Sequence, residues 1–94
     1  MTIVDTPRLR FYVEEMGGGA PVLFISGTGG DLRVKPSVMD SPLPSHRHVI
    51  AYDQRGLGQT EKPEGPYTMA DYGDDAAALL TTMGHDQVGI VGVS

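Results

Sequence analysis

Val22-Leu23-Phe24-Ile25-Ser26-Gly27-Thr28-Gly29-Gly30-Asp31 is a run of four apolar residues that passes directly into a glycine-rich turn. The four do not alternate with polar residues, which is how a strand covered on both faces reads. Two further stretches share that pattern. His48-Val49-Ile50-Ala51-Tyr52 ends at Asp53, and Gln87-Val88-Gly89-Ile90-Val91-Gly92-Val93 ends at Ser94. Both are expected to be buried strands.

Working outward, residues 9–14 (Leu-Arg-Phe-Tyr-Val-Glu) are β-prone, and Gly17-Gly18-Gly19 breaks the chain before Pro21. Two β runs joined by a glycine break predict a hairpin between residues 9–14 and the strand that starts at Pro21. Residues 32–47 hold Pro36, Pro42 and Pro44, which allow a short helix or two turns. Residues 53–66 read as loop. A helix is predicted from Met69 to Met83, because Met69, Tyr72, Ala76, Leu79, Leu80 and Met83 recur at three- and four-residue spacings. Thr68 suits the N-cap, Asp71 stands where a capping box has its acid, and Gly84 suits the C′ position. Asp74 and Asp75 are expected on the opposite, solvated face, not as a carboxylate pair for acid–base work. The fold class is therefore α/β: a hairpin and a mostly parallel sheet with flanking helices.

The whole chain is 94 residues, close to one small domain, which argues against two. Its net charge of −5 offers no basic face for phosphates, so nucleic acid is not an expected partner. Without cysteine there is no disulfide, no thiolate metal ligand and no cysteine nucleophile. The charged start (Asp5, Arg8, Arg10, Glu14, Glu15) is unlike a signal peptide, and no apolar run approaches the roughly 18 residues of a membrane span. A folded cytoplasmic chain with no membrane partner is expected. The last strand is fully apolar with nothing after it to cover it, so the sheet reads as unfinished.

Gly92-Val93-Ser94 after a buried strand is the first half of Gly-x-Ser-x-Gly, a turn that lifts a serine hydroxyl above the sheet edge. Alone the tripeptide is unspecific, and a serine beginning a helix as N-cap is its bland reading. Its context is more telling. From about Leu9 to Ser94 the chain resembles the α/β-hydrolase superfamily. Ser26-Gly27-Thr28-Gly29-Gly30-Asp31 resembles the family's oxyanion loop, and Asp53-Gln54-Arg55-Gly56-Leu57-Gly58-Gln59-Thr60 its Asp-x-Arg-Gly-x-Gly-x-Ser loop. Tyr67-Thr68-Met69 and Val91-Gly92-Val93-Ser94 follow in matching order. Ser26 in place of the common histidine, Asp31-Leu32-Arg33 and Gly65-Pro66-Tyr67-Thr68 lean toward the 3-oxoadipate enol-lactonase and esterase branch.

The resemblance implies that Ser94 is the catalytic nucleophile. It also implies an oxyanion hole built from backbone N–H groups of Gly27 and Thr28, with a further donor from the residue after Ser94. Residues 1–94 would be the N-terminal part of a single hydrolase domain, and a complementary C-terminal polypeptide would bring the acid and the histidine. The substrate would be a small ester or lactone, with no cofactor and no metal. Carbon–carbon bond hydrolases and cofactor-free haloperoxidases share the same N-terminal motifs.

None of the chain's histidines is expected to be the base. His46 and His48 precede a strand and His85 follows the helix, all away from the strands' carboxyl ends; they read as surface histidines. Asp53 and Arg55 stand at a strand's carboxyl end, where they order a loop through local hydrogen bonds and an ion pair or serve the site. Two rivals stay open: a catalytically silent hydrolase-like binding module, and a dinucleotide-binding domain. The second has Gly27-x-Gly29 and then Asp53, but Leu32 occupies the third glycine position and Pro36 and Pro42 prevent the helix it needs.

Overall fold

The computed structural model describes residues 2–25 and 31–92. Five strands form one mixed sheet: β1 (Thr2–Asp5), β2 (Arg10–Met16), β3 (Pro21–Ile25), β4 (His48–Tyr52) and β5 (Gly89–Gly92), in the spatial order β1-β2-β4-β3-β5. Among the described residues, a single α-helix, α1 (Met69–Met83), lies between β4 and β5 in sequence, and residues 38–40 and 43–45 form two short 3-10 turns. The proline-rich stretch thus forms two turns, one of the two forms that its prolines allow.

The hairpin expected between residues 9–14 and the strand from Pro21 does not form: β2 and β3 are not paired, and β2 makes its hairpin with β1. β2 runs antiparallel to β1, with Ile3 opposite Tyr12, and antiparallel to β4 on its other side, with Val13 opposite Tyr52. β3 lies beyond β4 and pairs with it in parallel. The glycine break at 17–19 therefore carries the chain past the position of β4 instead of folding β3 back on β2. β-prone neighbours and a turn are visible locally. That a later strand inserts between them is not, although it satisfies the backbone of β2 on both edges.

The apolar runs of β3 and β4 are buried on both faces, as their lack of alternation predicts. One face holds Phe11, Val13, Leu23, Ile50 and Tyr52, with Leu79 of α1 fully buried against them and Ala76, Leu80 and Met83 packed around it. The other holds Tyr12, Val49 and Ala51 under Leu32 and Met39, with Phe24, Val38 and Leu43 alongside. Phe11 meets Tyr52 edge to face at 5.7 Å between ring centres. α1 begins in a complete capping box between Thr68 and Asp71 and ends at Gly84, whose φ of 84° is the left-handed cap. Of the expected stripe, Met69 is exposed; it stands in the first turn, ahead of the part of the helix that reaches the sheet.

β5 departs from expectation. It is an edge strand, parallel to β3, and all four of its residues are exposed, Ile90 at 64%. Its composition suits a doubly covered strand; among the described residues nothing packs over it.

Candidate active site at the carboxyl ends of the parallel strands

Parallel pairing brings three strand ends level. Ile25 is in register with Tyr52 of β4 and with Gly92 of β5. In open α/β sheets this edge is where ligands bind. Ser94, Gly27 and Thr28, the residues expected to supply nucleophile and oxyanion donors, lie outside the described residues, as does Ser26.

Among the described residues at this end of the strands, a framework is centred on Asp53, the first residue after β4. Its side chain is fully buried. One carboxylate oxygen accepts the Leu32 N–H at 2.8 Å and the other the Gln59 N–H at 2.9 Å. The Asp53 N–H donates to the Tyr12 carbonyl at 3.1 Å, and its own carbonyl accepts the Thr60 hydroxyl. Thr60, equally buried, accepts the Tyr12 N–H at 2.9 Å. Asp53 thus ties Leu32 to the loop after β4 and, through Thr60, to β2. Burial pushes its carboxyl above the usual range, partly offset by the two N–H donors, while Asp31 and Glu14 add to the rise. Gly58 makes the arrangement possible: its φ is +50°, and a Cβ there would overlap the Asp53 carboxylate.

Arg55 does not pair locally. Its guanidinium grips Asp75 of α1 through two hydrogen bonds of 2.6 and 2.8 Å and lies 5.3 Å above the Tyr67 ring. Arg8, from the β1–β2 connection, adds a third contact to Asp75 at 2.9 Å. Asp75 is therefore no solvated residue but buried, at 1% exposure. Burial alone would raise its carboxyl; the hydrogen bonds and charges of the two arginines outweigh that and hold it below the usual range. Asp53 and Arg55 accordingly order the loop, as the bland reading has it, but through backbone amides and a helix carboxylate and not through each other.

Two groupings lie outside anything the sequence pattern indicates. Tyr12 donates its hydroxyl to Glu14 at 2.6 Å, which with burial pushes the phenol up to about 12. At the opposite end of the sheet, His48 and His85 come together, with ring centres 5.9 Å apart, and His48 Nε2 lies 2.9 Å from a Glu15 oxygen. Neither histidine is near Asp53's end of the strands, in keeping with their exclusion as base.

Residues 20–94 match the model of the alpha/beta hydrolase fold family, and the chain belongs to that family. It is 37% identical over 91 residues to 2-(acetamidomethylene)succinate hydrolase of Mesorhizobium japonicum, covering 97% of this chain and 32% of that protein. The solved structure of E-2-(acetamidomethylene)succinate hydrolase superposes with a TM-score of 0.86 at 36% identity, over 99% of this chain and 34% of that one. The enol-lactonase of Burkholderia xenovorans LB400 superposes with a TM-score of 0.84 at 27% identity, over 99% and 37%. The chain thus spans about a third of the length of these relatives and corresponds to the N-terminal portion of the fold.

Proposed function

We propose that this α/β-hydrolase chain carries, at Ser94, the nucleophile of an enzyme that hydrolyses a small carboxylic ester or lactone. The observation that carries the reading is the level register of Ile25, Tyr52 and Gly92. The strand ends from which the glycine turn, Asp53 and Ser94 continue in sequence lie side by side. Likeness to an enol-lactonase and to an acetamidomethylene-succinate hydrolase supports the substrate class.

In this mechanism the Ser94 hydroxyl attacks the acyl carbon while a histidine takes its proton. That histidine and the acid that orients it come from the complementary C-terminal polypeptide of the same hydrolase. Backbone N–H groups of the Gly27–Thr28 turn, with the residue after Ser94, hold the oxyanion; losing one such donor costs roughly 10²–10³ in turnover. The alkoxide leaves with the histidine's proton. Water, deprotonated by the same histidine, then attacks the acyl-enzyme, and Ser94 regains its proton as the carboxylic acid departs. No step calls on a cofactor. Asp53 contributes by holding Leu32, and so the far side of the glycine turn. No described helix is long and apolar enough to cross a membrane, and we place the enzyme in the cytoplasm.

A fluorophosphonate probe with intact-mass and peptide mapping tests this. The chain alone should take no label, because His48 and His85 stand at the opposite end of the sheet. With the complementary polypeptide, one label should appear on Ser94, and Ser94→Ala should abolish both label and ester turnover. Activity retained in Ser94→Ala would overturn the assignment, and no label in any combination would leave a hydrolase-like binding module.

A further inference from the structure

The end of the sheet opposite the proposed active site holds three side chains that the hydrolase reading does not use. Glu15 is on β2, His48 opens β4, and His85 follows the left-handed cap of α1. One carboxylate oxygen and one ring nitrogen from each histidine all lie within 4.8 Å of one another. We propose that Glu15, His48 and His85 form a binding site for a divalent transition-metal ion of the zinc type.

Donor chemistry selects that ion class. Two imidazoles and one carboxylate suit zinc and its neighbours, whereas magnesium and calcium prefer all-oxygen shells. Geometry is close to what the ion needs. Three ligand atoms arranged tetrahedrally about 2.1 Å from one zinc stand about 3.4 Å apart. The Glu15–His48 pair, hydrogen-bonded at 2.9 Å, is tighter than that spacing, so the ion replaces this hydrogen bond as the two atoms part slightly. His85 has to close the remainder by side-chain rotation, and its ring centre already lies 5.9 Å from that of His48.

The backbones beneath these side chains are held in place. His48 sits in the parallel ladder opposite Pro21, and its N–H donates to the Ala20 carbonyl at 3.1 Å. Glu15 is in register with Ile50. The His85 N–H returns to the Leu80 carbonyl at 2.9 Å, closing the helix cap. Three such attachments reduce the ordering that binding must impose. Access is open: the His48 side chain is 26% exposed and that of Glu15 41%, so a hydrated ion can reach the site and keep water in the fourth position. Because the three donors come from β2, β4 and the end of α1, a bound ion clamps the helix terminus to the sheet.

Zinc titration of the untagged chain, followed by calorimetry and by thermal unfolding, tests the site. One equivalent of zinc should bind and raise Tm, with magnesium inert at the same concentration. His48→Gln and His85→Gln should each weaken zinc binding roughly tenfold or more and remove the Tm rise, and Glu15→Gln should weaken it less. His46 lies two residues before β4 and outside the cluster, so the control His46→Gln should bind zinc as the parent does. Circular dichroism of each metal-free variant separates lost ligation from lost folding. Zinc binding that survives both His48→Gln and His85→Gln, or no uptake by the folded parent chain, would overturn the site.

Discussion

Asp53 and Asp75 are both buried aspartates, yet they are stabilised in opposite ways. The Asp53 carboxylate accepts backbone amides, from Leu32 and Gln59, and is pushed up by burial. Asp75 faces two guanidinium groups, and its carboxyl is held down despite burial. The first organises a loop at the strand ends, and the second locks a helix to two distant segments. Neutral donors can orient a buried charge, but they offset its desolvation less completely than cations do.

The largest effect should come from Asp75→Ala. Removing one partner of a buried ion pair typically costs about 3–5 kcal/mol, and the part-exposed Arg8 puts this site near the lower end. Urea unfolding measures it; a loss below about 1 kcal/mol would show that the arginines are resolvated without it.

Gly58→Ala should follow, at about 2 kcal/mol or more, because it forces a left-handed backbone and an overlap with the Asp53 carboxylate. If the overlap is the cause, Asp53→Ala should relieve part of the cost, and a double-mutant cycle would read that coupling. Thr60→Val should cost about 1–3 kcal/mol by leaving the buried Tyr12 N–H without this acceptor.

The smallest effect is in the pH dependence, where the two aspartates have opposite signs. Asp75, with a lowered carboxyl, contributes stability that is present above the unfolded value near 3.8 and is lost as pH falls through its folded value. Asp53, with a raised carboxyl, contributes stability that is present below that value and is lost as pH rises through its folded value. Asp75→Asn should therefore flatten the acid limb of stability, and Asp53→Asn should steepen the rise of stability with pH above about 4. Urea midpoints between about pH 3 and 6 check both slopes.

Much of this frame is legible in the sequence. Non-alternating runs mark β3 and β4 as buried, though the same pattern in β5 belongs to an exposed edge, and the capping box with Gly84 bounds the helix. Asp53 is recognisable because it ends an apolar run. Asp75 is misread as solvated because of its charge. Its position carries the opposite signal: it stands three residues after Tyr72 and four before Leu79, on the flank of the buried stripe. Its partners, Arg8 and Arg55, are 67 and 20 residues away in sequence, beyond what periodicity can reveal. The same limit hides the insertion of β4 beside β2 and the meeting of His48 with His85, since each depends on tertiary pairing between distant segments.

The Arg8–Asp75 contact also bears on how fast the molecule opens. Closing a 67-residue separation is entropically costly and brings no contact until α1 has docked on the sheet. The pair should therefore form after the main folding barrier, so Arg8→Gln, which leaves the Arg55–Asp75 bonds in place, should accelerate unfolding far more than it slows refolding. In kinetic terms the buried carboxylate is a latch: it sets how long the folded chain stays closed more than how quickly it closes.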